Sequence, residues 1–274
     1  QMCIRDRYNY ENIQISCFHS EYPPNGKKLI NFQEVCSMKK AIINFGSVTG
    51  SHDKMYGGHI NQDSYCFKTV GDYVCAVVSD GAGSHKYADI GAKTFSQNVC
   101  EYLANNVERI YSQDTDSTRQ EIANVIRETS NRLVTENGGA ERDYGSTLLF
   151  AVLKVGSTDV LHGNLGDGEL LIDFSDERED NPQTWFNVLS FPYCKGKGTY
   201  LTNSIGLDTA FRVERDGRRG TPDGYKKIWL ITDGVWRHIF GPDHNLYGKS
   251  VDEAVNKIYE EPPIDDATFI SIEW

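Results

Sequence analysis

No stretch of this sequence approaches the roughly 20 consecutive apolar residues of a membrane-crossing helix. The longest apolar runs, such as LLFAVL at 148–153, have the length of a strand, so no membrane partner is expected. An excess of positive charge is missing too. Lys and Arg number 28 against 39 Asp and Glu, a net charge of -11, and that balance repels a phosphate backbone, which argues against nucleic acid as a general partner. The seven cysteines (Cys3, Cys17, Cys36, Cys66, Cys75, Cys100, Cys194) form an odd set without a Cys-x-x-Cys pair. Neither a disulfide framework nor a zinc ribbon fits them, and a reducing cytoplasm is the expected setting. The opening QMCIRDRYNYENIQ lacks the apolar core of a secretory signal. Its MCIRDR reads as translated adapter sequence, so about the first eight residues are set aside from fold reasoning. Internal repeats and low-complexity segments are absent.

What the chain does have is a succession of strand patterns interrupted by two long helical ones. Residues 1–40 are mixed in character, with EYPPNGKK reading as a loop, and carry no assigned role; residues 41–274 read as one domain with a substantial core. AIINFGSV, DSYCFKTV and DYVCAVVSD are three successive strands with short polar connections, expected to be antiparallel neighbours. Ser84 is placed to cap a helix in which Phe95, Val99, Leu103, Val107 and Ile110 recur at helical spacing. A second helix near 116–136 carries Ile122, Val125, Ile126 and Leu133 on one face. Strands resume with TLLFAVLKV, DVLHGNLG, ELLIDF, WFNVLSF, AFRVER and KKIWLIT, and ATFISIEW follows a helix near 251–260. This order does not alternate as βαβ units would. The expected class is α+β, with two packed, mainly antiparallel sheets flanked by helices.

Five Asp-Gly pairs punctuate the chain, at Asp80, Asp167, Asp216, Asp223 and Asp233. Such a pair is usually a turn. Asp216 and Asp223 lie among charged and turn-forming residues in VERDGRRGTPDGYKK, where the turn reading suffices. Asp80, Asp167 and Asp233 instead close apolar strand patterns, and Asp265 and Asp266 open one. Carboxylates at the ends of several core strands can converge on one point, as a hard cation requires. The turn reading stays open for each.

In order along the chain, GSHDKMYGGHINQDSY, VVSDGAGS, YGSTLLFAVL with GNLGDGEL, and LITDGVW with DDATFISI resemble the metal-dependent protein phosphatases of type 2C, in particular a bacterial branch. The resemblance covers roughly residues 46–274 and rests on the ordered set, since no single motif is specific. It implies hydrolysis of phosphoserine or phosphothreonine in a phosphorylated protein partner, with two Mg²⁺ or Mn²⁺ ions at one end of the sheets. By motif position Asp80 would bridge the ions, the Gly81 carbonyl would be a further ligand, and Asp233 and Asp265 would complete the carboxylates. Asp63 would act through metal-bound water. Such a metal pair suits the chemistry, because it can generate hydroxide and stabilise charge during in-line attack on phosphorus. Asp167 resembles the Asp of a third, accessory site whose usual companion, four residues after Asp233, is here Arg237; that site is expected to be weak or absent, with Asp167 paired to Arg237.

Departures from the family pattern bear on function. Gln62 stands where many members carry Glu, and an Arg that holds substrate phosphate has no counterpart; the region offers His52 and His59, of which His52 would contact phosphate, orient a ligand or be structural. Ala82 replaces a His found in eukaryotic relatives, while His85 is near in sequence. Small residues at Gly81, Ala82 and Gly83 would leave room for a phosphoryl group or simply make a turn. Gly145, Ser146 and Thr147 match a family strand start, where hydroxyls are usually structural. Arg218 and Arg219 are either phosphoprotein contacts or solvated charge. A pseudophosphatase serving as a binding module and a small-molecule phosphohydrolase remain alternatives.

Overall fold

The computed structural model describes residues 13–16, 41–51, 60–175, 184–190, 202, 211–217, 227–241, 247 and 250–274. Among these, the strands are β1 (Ile13–Ser16), β2 (Ile42–Val48), β3 (Ser64–Val70), β4 (Tyr73–Ser79), β5 (Leu148–Lys154), β6 (Asp159–Leu165), β7 (Glu169–Ser175), β8 (Thr184–Ser190), β9 (Arg212–Gly217), β10 (Lys227–Ile231) and β11 (Ala267–Glu273). The helices are α1 (Ala88–Asn105), α2 (Val107–Ser112), α3 (Thr115–Asn137), α4 (Asp233–Ile239) and α5 (Val251–Asn256). One sheet has the order β1-β3-β4-β5-β6-β9 and the other β2-β11-β10-β7-β8, with every pairing antiparallel. This is the expected α+β class, two antiparallel sheets flanked by helices.

Strand alternation explains how one sequence serves two cores. In β4, Val74, Ala76 and Val78 enter the layer between the sheets while Cys75 and Val77 face α1 and α3; in β5, Leu149, Ala151 and Leu153 face inward and Leu148, Phe150 and Val152 outward. Both faces are covered, so these strands read as continuous apolar runs. The stripe Phe95, Val99, Leu103, Val107 and Ile110 is buried against the first sheet as its spacing predicts, joined by Ile122, Ile126 and Leu133 of α3. A third cluster, including Leu171, Trp229, Ile231, Val235, Ile239 and Val255, packs α4 and α5 onto the second sheet.

Three sequence expectations change. β2 is not a neighbour of β3: it pairs with β11 in the opposite sheet, because the chain between Val48 and Ser64 is long enough to cross the sandwich. Ser84 does not cap α1, which starts after Tyr87 without a side-chain cap, and the helical stretch breaks at Asn106. The capped helix is α3, where the Asp114 carboxylate accepts from the Ser117 backbone N–H at 2.8 Å. Asp216 is no turn residue but lies within β9 opposite Val160, while Asp223 falls outside the described residues. Ile13–Ser16, part of the segment without an assigned role, adds an edge strand to β3. No helix among the described residues is long and apolar enough to cross a membrane.

Candidate metal centre

Antiparallel pairing brings the acids together. β4 and β6 both pair with β5 and so run the same way, ending at Ser79 and Leu165, just before Asp80 and Asp167. Ser64, which follows Asp63, pairs with Ser79. In the second sheet Ile231, two residues before Asp233, pairs with Phe269, and the acids Asp265 and Asp266 precede that strand. Strand ends of one direction therefore meet strand starts of the other at a single end of the sandwich. Asp216, opposite Val160, lies at the far end of β6.

Each acid is fixed by its own local device. Asp80 is zipped to the strand start after Gly145: its backbone N–H donates to Thr147 Oγ1 at 2.9 Å, and Thr147 N–H returns a bond to its carbonyl at 2.8 Å. Ser79 Oγ donates to Ser146 Oγ and to the Thr147 carbonyl, so these hydroxyls position Asp80. Gly81 must lack a side chain because a Cβ there would stand 2.7 Å from the Gln62 carbonyl and 2.9 Å from Ala88 backbone. Packing, and no open approach for a phosphoryl group, explains that glycine. Gly234 is equally confined, with the Asp266 carbonyl 1.9 Å from a Cβ position. Asp233 is the first residue of α4, and the next turn places Trp236 so that its Nε1–H donates to the Asp167 carbonyl at 2.8 Å.

Oxygen atoms of Asp80, Asp167 and Asp233 all lie within 4.8 Å of one another. Buried Asp63 stands beside them, its Oδ2 accepting from Thr232 Oγ1 at 2.8 Å. The electrostatics of the cation-free protein are unfavourable. Burial first, then the charges of Asp63, Asp233 and Asp167, raises the Asp80 carboxyl well above its usual range. Burial and Asp266 do the same to Asp63. Asp167 is raised by burial, with Arg237 opposing, and Asp233 is pushed up to about 6 by burial and then Asp167. Asp63 Oδ1 and Asp233 Oδ1 are buried without hydrogen-bond partners. Mutually repelling carboxyls with free buried oxygens are a donor set suited to a hard divalent cation.

Asp265 and Asp266 have separated roles. Asp266, 4% exposed, accepts from the backbone N–H groups of Gly50 at 2.9 Å and Gln62 at 2.7 Å, tying the loop before β3 to the start of β11. The Asp265 side chain is 55% exposed, with Oδ2 3.7 Å from Arg237 Nη1. Arg237 makes its shortest contact, 2.7 Å, with Asp233, and reaches Asp167 Oδ2 only at 4.0 Å. The sequence set Asp167 apart and Asp265 in the centre; the structure groups Asp167 with Asp80 and Asp233 and puts Asp265 at the solvent edge. His52, His59, Arg218 and Arg219 lie outside the described residues. His85 donates its backbone N–H to the Ala82 carbonyl, and its Nδ1 is buried without a partner. Sequence reasoning missed Thr232, Asp266 as a clamp, and Glu169, whose buried carboxyl is pushed up to about 7 by burial. A polar residue inside an apolar strand start was the available signal for Glu169.

Residues 51–261 match the family model for protein phosphatase 2C. The chain belongs to the protein phosphatase 2C family. Solved structures agree on the fold. A bacterial serine phosphatase is 13% identical, with 84% of this chain and 96% of that one covered and a TM-score of 0.55. The serine/threonine phosphatase Stp1 from Staphylococcus aureus is 16% identical over 91% of this chain and 99% of its own, at 0.56. RsbX, solved in complex with magnesium, is 17% identical over 88% and 99%, at 0.52. No curated protein matches the sequence. Within the phosphatase 2C fold, the acids occupy one end of the paired sheets, and the long helices lie away from them against the first sheet's outer face.

Proposed function

We propose that this chain is a metal-dependent phosphatase of phosphoserine and phosphothreonine in proteins. The observation that carries the reading is the meeting of Asp80, Asp167 and Asp233 oxygens within 4.8 Å, with buried oxygens on Asp63 and Asp233 left unpartnered. Asp80, the Gly81 carbonyl, Asp233 and Asp265 would hold two Mg²⁺ or Mn²⁺ ions, with Asp63 and Asp167 at their margin. Bound there, the ions would supply an activated water and neutralise phosphoryl charge. The chain's own residues prepare this. Thr147 and Ser146 hold Asp80 in place, Thr232 orients Asp63 through its hydroxyl, and Asp266 locks the Gly50 and Gln62 loops around the acids. His52 is the proposed contact for substrate phosphate. Residues 41–274 form the catalytic domain in this reading, working in the cytoplasm.

Arg237, 2.7 Å from Asp233, favours a second reading in which cations bind weakly and the chain is a binding module. Turnover of a phosphothreonine peptide and of a small phosphate ester, each with and without Mn²⁺, separates the readings. Metal-dependent turnover of the peptide in preference to the ester is expected. Preference for the ester would indicate a small-molecule phosphohydrolase, and no turnover of either would indicate the binding module.

A further inference from the structure

The acidic centre already contains a cation. Arg237 leaves α4 one turn after Asp233, on the same helix face. Its Nη1 is 2.7 Å from Asp233 Oδ2 and 3.7 Å from Asp265 Oδ2, and its Nη2 is 4.0 Å from Asp167 Oδ2. One guanidinium thus meets carboxylates from three places in the fold: the turn between β6 and β7, the start of α4, and the segment before β11. It lies 5.4 Å from the Trp236 ring centroid, and Trp236 is itself anchored to the Asp167 carbonyl. The side chain is 53% exposed, so charge and stacking hold it and burial does not. A guanidinium does not lose its proton in proteins. While it stays, the cluster carries a fixed positive charge at its edge.

We infer that Arg237 is a built-in counter-ion that a divalent cation must displace from Asp233, so that this one side chain sets how tightly, and how many, cations the centre holds. The inference rests on the metal-dependent reading above and specifies how that site is regulated. Asp233 Oδ2 cannot keep a short charge-assisted bond to Arg237 and also give its full charge to a metal. A divalent ion about 4 Å from a guanidinium is repelled by it, and even at the dielectric of water this weakens binding at least about tenfold. Swinging Arg237 into solvent relieves the repulsion, and its exposure leaves that path open.

The test is titration of chelator-stripped wild type, Arg237→Gln and Arg237→Lys with Mn²⁺, followed by calorimetry for affinity and by electron paramagnetic resonance for the number of ions bound. Arg237→Gln is expected to bind Mn²⁺ at least about tenfold more tightly than wild type, or to hold one more ion per chain. Arg237→Lys, which keeps the charge without the fork, is expected to fall between them. Equal affinity and equal stoichiometry in wild type and Arg237→Gln overturn the inference. If Arg237→Gln does not fold when stripped, the Lys variant decides: tighter binding than wild type supports the inference, and equal binding overturns it. Binding by Arg237→Gln alone supports it while removing the enzymatic reading for wild type. Failure of every variant to bind Mn²⁺ removes both.

Discussion

The two outer faces of the sandwich are covered by very different helices. Over the first sheet lie α1 and α3, 18 and 23 residues long; over the second lie α4 and α5, of 7 and 6 residues. The long helices bring an apolar stripe, with Phe95, Val99, Leu103 and Ile126 buried, and their work ends with packing. The short α4 has too few residues for a stripe of that kind. It presents Asp233 at its start and Arg237 in its last turn, both at the strand ends where the other acids gather. Cover and chemistry are therefore divided between the faces: length stabilises one, and helix ends supply the charges of the other.

The sharpest way to break this division is to alter one side and look for an effect on the other. Asp80→Asn and Asp233→Asn are expected to lower turnover by roughly three powers of ten or more while the chain stays folded, since each removes a proposed ligand. The same changes relieve carboxylate repulsion and should raise the melting temperature of the cation-free protein. Asp216→Asn, at the far end of β6, is the control; an equal loss of activity there would abolish the distinction. On the helix-covered side, Leu103→Ala is expected to destabilise by about 2–5 kcal/mol, with turnover per folded molecule unchanged.

Metal removal and pH sharpen the comparison next. The Asp233 carboxyl releases its proton near pH 3.8 when unfolded and at about 6 when folded, and Asp63, Asp80 and Asp167 shift in the same direction. Between those values the folded state binds more protons, so this contribution to stability is present in acid and lost as pH rises through the folded pKa. Asp114 and Glu121 shift the other way, held by their hydrogen bonds to Ser117 and Arg109, and their contribution disappears as pH falls. Melting of the EDTA-treated protein should thus be highest near pH 5 and decline toward pH 8, and Mn²⁺ should abolish the decline. A melting temperature that climbs from pH 5 to 8 without metal would contradict the assigned repulsion.

Smaller effects separate adjacent residues. Asp266→Ala strips acceptors from the Gly50 and Gln62 N–H groups and is expected to destabilise by roughly 1–3 kcal/mol, whereas Asp265→Ala should leave melting nearly unchanged and weaken Mn²⁺ binding. Asp114→Ala removes the α3 cap; a drop of a few degrees at most in melting temperature, with full turnover, is expected.

Much of this was legible in the sequence because burial leaves a periodic mark. Strand ends at Asp80, Asp167 and Asp233 stood out against apolar runs, and the stripes of α1 and α3 could be read at helical spacing. The pairing of β2 with β11 could not, since partner choice depends on contacts more than 200 residues apart, such as Ser47 Oγ with Thr268 Oγ1. The short α4 was hidden because DGVWRHI is too brief to show a period. The different settings of Asp265 and Asp266 were equally hidden, as only the folded loops decide which neighbour turns inward.

The most direct test of a cation centre built from strand-end carboxylates is an anomalous difference map from Mn²⁺-soaked crystals. Two peaks are expected among Asp80, Asp233 and Asp265, with the Arg237 side chain moved off Asp233. A map without peaks at saturating Mn²⁺, with Arg237 still bonded to Asp233, would contradict it.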